Sequence, residues 1–123
     1  MRTKKEIRQA VYDKYGGHCA YCGRPLAYKD MQVDHIVSKY RSRYNDPAEI
    51  DVLENYNPAC RACNFRKGAL SLEGFRREIK EQAKREMQRF QARMSVAYGL
   101  LEYYPEREIT FYFESYDTNS NNQ

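Results

Sequence analysis

The sequence predicts an α+β fold stapled by a metal bound to four cysteines. Three observations carry this. The four cysteines fall as two Cys-x-x-Cys pairs, Cys19/Cys22 and Cys60/Cys63. A short alternating run over residues 31–36 lies between the pairs and has the period of a strand. Segments with helical periodicity lie before the first pair and after the second.

The 123 residues suit one domain with an appendage, and a short, loop-rich part of that size benefits from a metal staple. The N-terminus has no apolar stretch of signal-peptide or membrane-spanning kind. No membrane role is expected, and the setting expected is the cytosol, where paired cysteines stay reduced and bind metal. The net charge of +4 is unevenly spread. Residues 61–93 hold ten basic and four acidic side chains, whereas residues 100–123 hold one and five. The basic middle suits phosphate and the acidic end turns away from it. A solvated helix face accounts for the same charge.

Thr3 and Glu6 stand three apart as a capping box, and Ile7, Ala10, Val11 and Tyr15 recur at helical spacing. A helix over residues 4–15 follows, ended by Gly16-Gly17. Gly23-Arg24-Pro25 turns the chain, and residues 28–36 read as a hairpin. Residues 37–58 are polar and broken by prolines, and read mostly as loop. From Leu72, apolar positions Phe75, Ile79, Ala83, Met87, Phe90, Met94 and Ala97 predict one long helix, stopped at Gly99. It would span about 40 Å, too long for a small metal core to cover. Its second half therefore needs a partner, either the strand read at residues 109–113 or a second subunit. The expected division is a domain over 1–98 with the N-terminal and long helices, a strand extension over 99–117, and a disordered tail over 118–123.

Two Cys-x-x-Cys turns complete a tetrahedral thiolate site with bonds of about 2.3 Å. Zinc is the expected ion, in a structural role, because no coordination position stays open. Two disulfides or a redox pair are the competing readings.

The sequence Cys19-Ala-Tyr-Cys22-Gly, then Val33-Asp34-His35-Ile, then Asn55, then Cys60-Arg-Ala-Cys63-Asn64-Phe-Arg-Lys67, resembles the HNH family of endonucleases. The match covers about residues 17–80. It implies a ββα-metal (His-Me finger) core and metal-dependent DNA endonuclease or nickase activity, leaving 5′-phosphate and 3′-hydroxyl ends. By this resemblance His35 is the general base, and Asp34 and Asn64 are oxygen ligands to one divalent ion. Asn55, with Asn57 second, orients His35. Oxygen ligands favour Mg²⁺ or Mn²⁺. Adjacent strand residues face opposite ways, so a bulge or strand end is needed for Asp34 and His35 to share a site. Arg66, Lys67, Lys39, Arg41 and Arg76 are candidate contacts to double-stranded DNA, and Arg61 is a weaker one. Tyr40 and Tyr44, among Lys39, Arg41 and Arg43, are further candidates. His18 is read as a surface residue beside the zinc site.

A phage, mobile-element or restriction/defence setting, in a bacterial or phage-infected cell, rests on analogy alone. Two alternatives stay open. A non-catalytic zinc module that binds nucleic acid would need the cysteines and the basic helix but not Asp34, His35 and Asn64 together. A subunit of a homodimer or larger assembly would dock through residues 95–116.

Overall fold

Thr3 starts the first helix, α1 (Lys4–Asp13), with the expected capping box: its hydroxyl accepts from the Glu6 N–H (3.1 Å), and the Glu6 carboxylate accepts from the Thr3 N–H (3.2 Å). The computed structural model describes residues 2–38 and 50–116. The helix ends two residues earlier than expected, and Gly16 and Gly17 follow in left-handed conformations. Gly17 cannot be another residue cheaply. Its φ is +80°, and a Cβ there would lie 2.9 Å from the Tyr12 hydroxyl.

The first cysteine pair sits on a small knuckle. The Gly23 N–H bonds back to Cys19 O (3.0 Å), and Cys19 N to Arg24 O (2.8 Å). A turn of 3₁₀ helix, Tyr28–Asp30, leads into β1 (Gln32–His35). Arg8 of α1 fastens this turn by donating to Tyr28 O and Met31 O, both at 2.8 Å.

The hairpin reading for residues 28–36 is corrected here. β1 pairs antiparallel with β2 (Tyr56–Ala59), which lies in the stretch read as loop. The register sets Gln32 against Ala59 and His35 against Tyr56. Pro58 disguised β2 in the sequence, but a two-stranded ladder loses little to one missing N–H. The carbonyl of Pro58 is used as well, accepting from Ala20 N (2.8 Å) and tying the knuckle to the sheet.

Cys60 then caps α2 (Arg61–Lys67), its sulfur accepting from Cys63 N–H (3.4 Å). β1, β2 and α2 form the ββα core. Val11, Ala20, Tyr21, Leu26, Met31, Ala59 and Phe111 are among the residues buried around it.

The chain divides into two compact units, one of residues 1–72 with 110–123 and one of residues 73–109. This differs from the expected division at residue 98. Residues 111–113 belong with the knuckle: Tyr112 N bonds Tyr21 O (3.1 Å), and Phe113 N bonds Ala20 O (2.8 Å). Phe111 and Phe113 pack edge-on to Tyr21. The strand expected at residues 109–113 does not form. Phe111 instead precedes a helical turn, α5 (Tyr112–Ser115), with Phe111 N–H donating to Glu114 (2.8 Å). The tail at 118–123 lies outside the described residues.

The long helix is two helices, α3 (Leu72–Glu86) and α4 (Phe90–Ala97). Arg93 makes the break tolerable, its guanidinium donating to the freed carbonyls of Met87 (3.2 Å) and Gln88 (2.7 Å). The apolar stripe is covered at Phe75, but Phe90 and Met94 are exposed. Gly99 has a left-handed φ of 75°, as a helix stop should. No helix among the described residues is long and apolar enough to cross a membrane.

Candidate active site

The two knuckles bring the four cysteines together. Their sulfurs all lie within 4.8 Å of one another, and Cys22 and Cys60 are 3.9 Å apart. A tetrahedron with zinc–sulfur bonds of about 2.3 Å has sulfurs about 3.8 Å apart, so the cluster fits a zinc ion. The hydrogen bond from Cys63 pulls the Cys19 thiol down to about 4. Arg24 bonds Cys22 and is held more firmly protonated by it.

Beside this staple, the sheet and α2 enclose a cleft of about 280 Å³ lined by Val33, Asp34, His35, Ser38, Asn64, Gly68 and Ala69. The Asp34-His35 step and Asn64, far from it in sequence, therefore line one cleft. The conflict between adjacent strand positions is resolved at the strand end, since β1 stops at His35.

Asp34 is buried, 4 % exposed. Its Oδ2 accepts from the Tyr21 hydroxyl (2.5 Å) and pairs with Lys67 Nζ (3.1 Å). Burial raises its pKa, against the pull of Tyr21 and Lys67. Asn57, opposite Asp34 in the register, is buried beside Tyr21, and its Nδ2 donates to the Tyr21 hydroxyl (3.4 Å).

Asn64 donates through Nδ2 to Gln32 Oε1 (2.5 Å), which turns its amide so that Oδ1 stays available as an oxygen ligand. His35 is half-buried, and its Nε2 lies 2.9 Å from Asp51 Oδ1.

Asn55 was expected to orient His35 by a hydrogen bond. Its side chain instead bonds backbone: Oδ1 accepts from Val37 N (2.9 Å), and Nδ2 donates to Val37 O and Ile50 O, both at 3.0 Å. Asn57 does not bond His35 either; its partner is Tyr21.

Lys67 is the clearest departure among the expected DNA contacts. It is wholly buried, with Nζ donating to His35 O (2.8 Å) and paired with Asp34, so it cannot meet a phosphate. Arg66, one position earlier on α2, and Arg61 are exposed and free to do so. Arg76 is engaged within its own unit, donating to Ile109 O (3.2 Å) and pairing with Glu73. Lys39, Arg41, Arg43, Tyr40 and Tyr44 lie outside the described residues. His18 bonds the Tyr15 carbonyl (3.0 Å) and stacks on Tyr112, turned to structure beside the zinc site.

Sequence reading missed Tyr21, Gln32 and Asp51. Each touches a motif residue from a distant stretch of chain, Tyr21 from the first knuckle, Gln32 from β1 and Asp51 from the segment before β2, and no local spacing announces that.

A ββα core beside a four-cysteine cluster that fits zinc, with an Asp-His step at a strand end and an Asn on the following helix, is the arrangement of a ββα-metal fold. Residues 19–70 match the model of the HNH endonuclease family. No curated protein matched the chain in a sequence search. Members of the HNH family are nucleases that act on DNA with divalent metal.

Proposed function

We propose that this protein is a metal-dependent DNA endonuclease or nickase, with His35 as the general base. The observation that carries the proposal is the single cleft lined by Asp34, His35 and Asn64. Neutral imidazole takes a proton from water attacking phosphorus, and the 3′-oxygen leaves, giving 5′-phosphate and 3′-hydroxyl ends.

Asp34 and Asn64 would hold one Mg²⁺ or Mn²⁺ through oxygen, a donor set that suits a hard ion. Bound there, the ion would polarise the phosphate and offset charge on the leaving oxygen. Lys67 and Tyr21 fix the Asp34 carboxylate, and Gln32 fixes the Asn64 amide, so both ligand groups are held before the ion arrives. Zinc in the four-cysteine site serves the fold. Arg66 and Arg61 are the described side chains that would meet backbone phosphate.

Supercoiled plasmid incubated with EDTA, Mg²⁺ or Mn²⁺ tests the proposal. Metal-dependent nicking that His35→Ala abolishes at unchanged zinc content supports it. Absence of cleavage by zinc-loaded native chain counts against it. Self-association through residues 95–116 is suggested by exposed Tyr98, Leu100 and Leu101, and light scattering decides it.

A further inference from the structure

We infer that Asp51 is the positioning residue for His35, and that Asn55 acts on the base through the backbone around this pair. The inference rests on His35 being the general base, as proposed above.

Asp51 Oδ1 lies 2.9 Å from His35 Nε2. A carboxylate only accepts, so Nε2 carries the proton of the neutral ring and Nδ1 is left unprotonated. Nδ1 has no hydrogen-bond partner among the described residues and is the nitrogen able to take a proton from water. Without Asp51 both tautomers are open to His35, and the one with hydrogen on Nδ1 cannot act as base through that atom.

Further contacts hold the pair. Tyr56, opposite His35 in the register, packs edge-on to the imidazole, with centroids 5.2 Å apart, and burial together with the nearby Asp51 carboxylate raises the pKa of its phenol. The ring is thus held by the carboxylate on one side and the aromatic edge on another. Asn55 ties both chain segments to itself: it bonds Val37, two residues after His35, and Ile50, the residue before Asp51. The Ile36 N–H to Asn55 O bond (2.8 Å) closes the same clasp.

The Asp51 side chain is half exposed at 51 %, so water screens its charge and its main effect is orientation. That also makes Asp51→Ala a safe variant for folding.

The experiment compares native chain, Asp51→Ala, His35→Ala and the double variant, all zinc-loaded. Long-range ¹H–¹⁵N correlation at about pH 8, where imidazole is neutral, reads the ring tautomer directly. In the native chain His35 should be protonated at Nε2 alone, and in Asp51→Ala the two nitrogens should become more alike. Plasmid nicking should show kcat falling by about 10- to 100-fold in Asp51→Ala with KM unchanged, less than the roughly 100- to 10,000-fold expected for losing the base. In the His35→Ala background, Asp51→Ala should cause no further loss.

A native-like tautomer in Asp51→Ala overturns the inference whether or not the chain cleaves DNA. An additional loss in the double variant also overturns it, since Asp51 would then act on something other than His35. Full activity in His35→Ala would instead overturn the general-base proposal. Loss of activity in His35→Ala with none in Asp51→Ala would leave that proposal standing and sink the role of Asp51.

Discussion

Replacing Lys67 by Met would separate packing from charge at the centre of the site. The ammonium is wholly buried, 3.1 Å from Asp34 Oδ2, and also donates to His35 O at 2.8 Å. At an effective dielectric of about 20, two unit charges at that separation attract by roughly 5 kcal/mol. Removing one partner of a buried pair costs about 3–5 kcal/mol, because the other charge stays buried alone. For a chain of this size that is a drop in melting temperature of about 10–20 °C.

The deficit should depend on pH with a definite sign. Burial raises the Asp34 pKa above its ordinary 3.8, so the native state keeps the proton longer than the unfolded chain. Asp34 therefore contributes stability at pH below 3.8 and loses it as pH rises through the folded value. Without the ammonium that folded value rises further, so Lys67→Met should be most deficient near neutral pH and closest to native in acid. Thermal melts of zinc-loaded protein, followed by circular dichroism, measure it. Asp34→Asn in the Lys67→Met background should recover part of the loss. A deficit under about 1 kcal/mol at neutral pH, or strictly additive effects in the double variant, would refute the claim that this pair is coupled in the core.

Four other outcomes are expected. Cys60→Ser should drop the zinc content below about one per chain and lower the melting temperature, since Cys60 both belongs to the four-cysteine cluster and caps α2; elemental analysis with a melt checks it. Gly17→Ala should destabilise by roughly 1–3 kcal/mol, because a left-handed backbone and the Tyr12 hydroxyl both oppose a Cβ; denaturant titration reads this. Thr3→Ala should cost about 1 kcal/mol of helix capping by the same titration. The Thr3 bonds hold Glu6 below its ordinary 4.5, so its share of stability is present above pH 4.5 and lost as pH falls through the folded value. Glu6→Gln should therefore differ from the native chain near neutral pH and match it in acid.

Legibility in the sequence followed the range of the interactions. The capping box, the glycine stop and the cysteine knuckles depend on neighbours within a few residues, and all formed. The break between α3 and α4 has no glycine or proline at residues 87–89 to announce it. It is held by a side chain bonding carbonyls five and six residues back, a contact that periodicity does not report. The alternating apolar residues at 109–113 resembled a strand, but no sheet edge receives them. Their aromatic rings fill the knuckle instead, and the backbone curls into a helical turn. Lys67 resembled a surface cation because it follows Arg66, yet one helical step of about 100° turns it from solvent into the core.

Long-range contacts also set where Asn55 acts on the fold. The Asn55 side chain makes its hydrogen bonds to backbone and not to the His35 ring, and these three bonds fix the chain on both sides of the His35–Asp51 contact. Asp34 is treated likewise, since Tyr21 and Lys67 hold its carboxylate from separate elements. Lys67 in turn grips the His35 carbonyl, so the buried cation restrains the backbone of His35 as well as the Asp34 carboxylate beside it. A loss at Lys67 should therefore appear both in stability and in the tautomer order of His35, whereas a loss at Asp51 should appear in the tautomer alone. Comparing the two variants by melting and by ¹⁵N correlation separates restraint of the strand from restraint of the ring.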